Sequence, residues 1–171
     1  MKKNIVLIGY MGTGKSTIGK ILSKELKMEF IDTDLLIEKN IKMSIKDIFE
    51  NFGEKYFRDL ESKIAKEVSK LNNKIISTGG GIVLRDENIN NLKKTGMVVL
   101  LKANADTIYE RVSKNSDRPL LNVENPKEKI NKMLIERKLN YERFKDIEIE
   151  TDNKTVNEIF EIIKENYFKT V

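Results

Sequence analysis

One stretch near the amino terminus restricts the fold more than anything else in this chain. Gly9-Tyr10-Met11-Gly12-Thr13-Gly14-Lys15-Ser16 spells G-x-x-x-x-G-K-S and follows directly on the apolar run Ile5-Val6-Leu7-Ile8. A buried strand, a glycine turn and a helix start in that order form the phosphate-binding P-loop. Glycines at this turn let backbone N–H groups curl around a phosphate, and the helix N-terminus adds its positive dipole. The pattern assigns Gly12, Thr13, Gly14, Lys15, Ser16 and Thr17 to nucleotide binding. Lys15 reaches the β- and γ-phosphates, and the Ser16 hydroxyl is the expected ligand for Mg²⁺. A glycine-rich turn that binds nothing is the competing explanation of the same letters.

Composition narrows the chemistry. A chain of 171 residues is the size of one domain with a full core. It contains no Cys, which excludes disulfides, Cys–zinc sites and a thiol nucleophile, and no His, which excludes histidine catalysis. A general base must be a carboxylate, a Lys or a Tyr. No signal peptide is visible, no stretch approaches the ~20 apolar residues of a membrane span, and the chain reads as cytosolic. The net charge of +5 is spread over lysines interleaved with glutamates, as in Lys63-Ile64-Ala65-Lys66-Glu67, so neither nucleic acid nor a membrane is the expected partner. Of the 32 basic residues only six are Arg, at positions 58, 85, 111, 118, 137 and 143. In a lysine-rich chain an arginine marks a place where a planar fork is wanted.

Strand-like runs at Asn4–Ile8, Glu29–Asp32, Lys74–Ser77, Met97–Lys102 and Asp146–Glu150 alternate with helical patterns. The helical patterns cover Ser16–Leu26, Asp34–Asn40, Ser44–Asn51, Glu54–Leu71, Asp86–Lys93, Asn104–Ser113, Pro126–Phe144 and Thr155–Tyr167. That alternation predicts an α/β fold with a parallel sheet wrapped on both faces. Ligands in such sheets bind beyond the carboxyl ends of the strands. The segment 113–125 holds Arg118, has no helical or strand period and reads as a lid over nucleotide.

Among the strand ends, only the second offers a pair of acids, Asp32-Thr33-Asp34. Read as extended chain, positions i and i+2 point the same way, so both carboxylates can face one site. One can support the Mg²⁺ shell and the other can orient or deprotonate an acceptor hydroxyl, with Asp32 the deeper of the two. Alternatively Asp34 only caps the next helix and Asp32 is solvated. Gly79-Gly80-Gly81 at the third strand end is more glycine than a turn requires, and suggests a ligand close to bare backbone N–H groups. Arg58 can pair with Glu61 on one helix face, and Arg137 shares a face with Met133 and Tyr141. Two arginine forks and a glycine nest suit a small carboxylate-bearing substrate. Arg118 can swing onto phosphates, Arg111 can stack on adenine or cap its helix, and Arg85 and Arg143 read as surface residues.

Taken together the motifs resemble those of the shikimate kinases, small P-loop kinases that phosphorylate the 3-hydroxyl of shikimate with ATP on the way to chorismate and the aromatic amino acids. The resemblance runs nearly end to end through Gly9–Ser16, Phe30-Ile31-Asp32-Thr33-Asp34, Phe52-Gly53-Glu54 with Phe57-Arg58 and Glu61, Ser77–Gly81, Asp117–Leu121, and Glu136-Arg137 with Tyr141. It implies a single P-loop domain over 1–171, a substrate-binding segment at 33–61, the lid at 113–125, a sheet order 2-3-1-4-5 and a monomer. It implies that Asp34, Arg58, Gly80, Gly81 and Arg137 bind shikimate, with both arginines on its carboxylate. Asp34, Lys15 and Arg118 would be catalytic. Ser16 would bind Mg²⁺ with Asp32 in support, Glu61 would position Arg58, and Arg111 would pack on adenine with the Asp152-Asn153-Lys154 turn. Rival readings are another small-molecule P-loop kinase, such as a gluconate or nucleoside monophosphate kinase, and a P-loop module that binds nucleotide as a silent switch.

Overall fold

Strand β1, Asn4–Ile8, is buried at every position and lies at the centre of a five-stranded sheet. The structure, a computed structural model, describes residues 2–113 and 125–170. The other strands are β2 Glu29–Asp32, β3 Lys74–Ser77, β4 Gly96–Lys102 and β5 Ile147–Glu150. All pairings are parallel and the order is β2-β3-β1-β4-β5. The helices are α1 Lys15–Leu26, α2 Thr33–Ile41, α3 Ile45–Val68, α4 Asp86–Lys93, α5 Ala105–Ser113, α6 Pro126–Phe144 and α7 Val156–Phe168, with a 3₁₀ turn at Ile82–Leu84.

Alternation along the strands builds two cores. Val6, Ile8, Ile76, Val98 and Leu100 face α2, α3, α4 and α6 through Ile37, Ile48, Phe57, Ile64, Leu92 and Phe144. Ile5, Leu7, Ile75, Met97, Val99 and Leu101 face α1 and α7 through Ile18, Leu22, Ile159 and Ile163. A smaller cluster of Tyr10, Ile108, Val112 and Ile130 joins the P-loop to α5 and α6.

One sequence expectation holds and another changes. The two helices expected at Ser44–Asn51 and Glu54–Leu71 are the two helical segments of α3, which meet at a kink at Gly53, whose φ of 80° is a left-handed conformation that favours glycine. That element ends at Val68, so Leu71 does not extend its apolar face and is 39% exposed. There the backbone turns away, and the Leu71 carbonyl accepts a 2.7 Å hydrogen bond from the buried Asn4 side chain.

Register places the site. Asp32 lies opposite Ser77, and Ser77 opposite Leu7, so β2, β3 and β1 end side by side. The P-loop, the Asp-x-Asp segment and the glycine turn therefore emerge at one edge.

Candidate active site

The P-loop is held by hydrogen bonds within itself. Gly14 caps α1 with φ 94°, and the Thr13 hydroxyl donates to the Tyr10 carbonyl at 2.7 Å. The Lys15 ammonium, nearly buried, donates to the carbonyls of Gly9 and Tyr10 at 2.8 and 2.9 Å. These bonds hold the lysine over the loop that would receive a phosphate. The Ser16 hydroxyl donates to Asp32 Oδ2 at 3.0 Å. A hydroxyl and a carboxylate thus meet at the start of α1. Among the described residues no group of three acidic or other metal-ligating side chains forms a complete cage. This donor set fits Mg²⁺, which usually takes one or two protein oxygens and fills its shell with phosphate and water.

The two aspartates converge, but not by strand alternation. β2 stops at Asp32, and Asp34 already belongs to α2. Asp32 is the helix cap, its Oδ1 accepting from the N–H groups of Asp34 and Leu35 at 3.1 and 3.4 Å. The capping role suggested as an alternative for Asp34 thus falls to Asp32. Depth is also reversed. Asp34 Oδ1 is buried without a hydrogen-bond partner among the described residues. Burial, then the charges of Asp32 and Glu61, push the Asp34 carboxyl up to about 6, against the pull of Lys15 and Arg58.

Two of the three glycines make room for protein. A Cβ on Gly79 would lie 2.6 Å from Asp34 Oδ1, and one on Gly81 2.2 Å from Arg58 Nη1. On Gly80 it would lie 3.4 Å from the Met11 nitrogen. The Gly79 N–H is already donated to the Thr33 hydroxyl at 3.3 Å. At Gly79 and Gly81 the crowding that excludes a side chain comes from Asp34 and Arg58 rather than from a ligand at the N–H groups.

Both arginines expected to bind the substrate reach this turn. Arg58 donates to Glu61 Oε2 at 2.9 Å and to Glu54 Oε1 at 3.3 and 3.1 Å. Glu61 is 1% exposed and its other oxygen has no partner among the described residues. Burial raises the Glu61 carboxyl above its ordinary value, and Arg58 opposes that shift. Arg137 donates to the Gly80 carbonyl at 3.3 Å, and the Tyr141 hydroxyl donates to the same oxygen. Among the described residues no carboxylate pairs with Arg137, which leaves its fork for an outside anion.

A cavity of about 570 Å³ is lined by Gly12, Thr13, Gly14, Lys15, Ser16, Thr17, Asp32, Asp34, Gly79, Gly80 and Arg111. Gly81, Arg58 and Arg137 border its glycine wall from behind. Arg111 donates to the carbonyl of Gly12 and to Thr151, tying the P-loop to the β5–α7 turn. Asn153 lies outside this cavity, in a neighbouring hollow with Asp152 and Lys154. Arg118 and the segment expected to form the lid, apart from its end residues, fall outside the described residues.

Two residues escaped the sequence reading. Arg85 is a brace rather than a surface residue. It donates to the Arg58 carbonyl and the Ser62 hydroxyl at 3.1 Å and pairs with Asp59 at 2.7 Å, holding the turn of α3 that carries Arg58. The scarcity of arginine was the available signal, obscured by the adjacent Asp86 and Glu87. Tyr10, at a position the P-loop pattern leaves open, is the other: it is 2% exposed, and the Arg137 guanidinium carbon lies 5.8 Å from its ring centre.

The family model for shikimate kinase matches residues 11–167. A shikimate kinase of Caldanaerobacter subterraneus is 48% identical over 167 residues, covering 98% of this chain and 97% of its own. One from Legionella pneumophila is 41% identical, covering 92% and 90%. The fold is similar to that of shikimate kinase from Acinetobacter baumannii in complex with shikimate, with a TM-score of 0.93, 33% identity and coverage of 99% and 95%. The Aquifex aeolicus enzyme gives 0.80 at 34% identity, covering 98% and 97%.

Proposed function

The chain belongs to the shikimate kinase family, and from that premise we propose how its residues transfer the γ-phosphoryl group of ATP to the 3-hydroxyl of shikimate. The gluconate alternative is not favoured by these likenesses. The observation that carries the reading is the convergence of the P-loop, Asp34 and two arginine forks on one glycine turn.

ATP lies with its phosphates on Gly12–Thr17 and its adenine toward Arg111 and the Asp152–Lys154 turn. Lys15 exchanges two carbonyl partners for phosphate oxygens, a charge-assisted bond of greater strength. Mg²⁺, held by Ser16 with Asp32 in support, would neutralise charge on the β- and γ-phosphate oxygens. Arg58 and Arg137 grip the shikimate carboxylate, which fixes the ring and brings the 3-hydroxyl to Asp34. Asp34 accepts the hydroxyl proton as the oxygen bonds to the γ-phosphorus and the bond to the β-phosphate oxygen breaks. ADP departs and Asp34 then returns its proton to water. A carboxyl that titrates at about 6 suits this task, being ionised at neutral pH yet a better proton acceptor than a solvated aspartate. Residues 33–61 act as the substrate-binding segment of a single domain. The P-loop, Asp34 and both arginines stand together within one domain, so the reading as a monomer needs no second copy to complete the site, and a reaction that consumes ATP fits the cytoplasm. Among the described residues no helix is long and apolar enough to cross a membrane.

The division between the aspartates is tested by titrating kcat with Mg²⁺. Asp34→Asn should lower kcat about 10²–10³-fold at unchanged metal requirement. Asp32→Asn should chiefly raise the Mg²⁺ needed for half-maximal rate. Identical metal dependence in the two variants, or near-normal kcat in Asp34→Asn, would contradict it.

A further inference from the structure

The P-loop pattern prescribes its glycines, lysine and serine and leaves position 10 open. This chain fills that position with a tyrosine that is 2% exposed. Its ring is buried with Ile108, Val112 and Ile130. Its hydroxyl donates to Met133 Sδ at 3.1 Å, four residues before Arg137 on α6. The Arg137 guanidinium carbon lies 5.8 Å from the centre of the ring, within the range of a cation–π contact. The carbonyl of the same residue accepts from Lys15. One residue therefore touches the lysine that meets ATP with its main chain and the arginine that meets the acceptor with its ring.

We propose that Tyr10 is a positioning residue for the acceptor: its ring fixes Arg137 in the orientation that receives the substrate carboxylate. This rests on the reading of Arg137 as a carboxylate ligand. Besides the ring, the guanidinium is held by the 3.3 Å bond to the Gly80 carbonyl and by the Tyr141 hydroxyl beside it, which donates to the same oxygen. Without the ring, these contacts at one corner of the fork leave its plane free to tilt, and shikimate binding must order it. The same loop that grips phosphate then has a structural hold on the far substrate.

The test is calorimetric titration of shikimate into the parent protein, Tyr10→Phe, Tyr10→Leu, Arg137→Ala and the Tyr10→Leu/Arg137→Ala double variant. Tyr10→Leu should weaken shikimate binding about fivefold, and Tyr10→Phe, which keeps the ring, less than about twofold. In the Arg137→Ala background Tyr10→Leu should add less than about twofold, because its effect passes through the arginine. Binding of a non-hydrolysable ATP analogue should hold within about twofold in Tyr10→Leu. Tyr10→Met, which keeps bulk without a ring, replaces leucine if thermal melting shows a loosened fold. Equal losses from Tyr10→Leu in both backgrounds, a Tyr10→Phe as weak as Tyr10→Leu, or a loss confined to the ATP analogue would overturn the proposal. If Arg137→Ala itself leaves shikimate binding unchanged, the carboxylate reading of Arg137 fails and the role of Tyr10 fails with it. If Arg137→Ala weakens binding and Tyr10→Leu does not, only the role of Tyr10 fails.

Discussion

Arg58 and Arg137 meet the same turn by different means. Arg58 is locked by Glu54 and Glu61, which take its Nε, Nη1 and Nη2 donors at 2.9–3.3 Å. Arg137 leans on a carbonyl and an aromatic ring. A lysine keeps the charge at either site but not the fork, and cannot satisfy two carboxylate oxygens and its own supports together. Arg58→Lys and Arg137→Lys should each raise the shikimate KM by about 10- to 150-fold, the range of one charge-assisted hydrogen bond, with the ATP KM near normal. Steady-state kinetics with each substrate varied in turn checks this. A rise in the ATP KM alone would mean the arginines serve the other ligand. The types of these residues were legible because arginine is scarce in the chain, and Arg58 with Glu61 was legible from spacing. The partners of Arg137 across the fold were not, since Gly80 and Tyr10 are remote from it in sequence and no periodicity joins them.

At the scale of elements, the glycine turn after β3 stands between the P-loop on one side and Asp34, Arg58 and Arg137 on the other. Its residues separate by what each would strike. Gly79→Ala drives a methyl toward Asp34 and should act mainly on kcat. Gly81→Ala drives one into the Arg58 guanidinium and should act mainly on the shikimate KM, by about tenfold for a displacement near 1 Å. Kinetics of the two variants side by side should show this split; the same change in both would point to a general collapse of the turn. The strands were readable to within a residue at every end because β1 and β4 are short apolar runs, β2 and β3 have an apolar pair between polar residues, and β5 alternates Ile with Glu. The sheet order was not readable from the runs themselves and came from the resemblance. The Asp-x-Asp geometry was misread because a strand was continued through Thr33, where the cap formed by Asp32 had already started α2. The glycine run was singled out for a ligand's approach to its N–H groups; the sequence did not show that a Cβ on Gly79 or Gly81 would also strike Asp34 or Arg58.

For the molecule as a whole, the site runs against stability. Asp34 and Glu61 are both raised by burial, Asp34 from 3.8 to about 6. A raised carboxyl binds its proton more tightly folded than unfolded, so its contribution favours the fold at low pH and is lost as pH rises from about 4 through about 6. Asp34→Asn should therefore melt higher than the parent at pH 8, with the gap closing toward pH 4, while its activity is largely gone. Thermal melting of both proteins across that range tests the sign; a variant less stable at pH 8 would contradict it. The parent rate should likewise fall as pH drops below about 6, where Asp34 takes up its proton. All of these effects presuppose one reaction, and its most direct test is coupled measurement of ADP release with Mg²⁺ and ATP, comparing shikimate, gluconate and no acceptor. The account predicts release that depends on shikimate and matches the shikimate 3-phosphate formed, with gluconate no better than the blank. Equal release with gluconate, or release indifferent to shikimate, would contradict it.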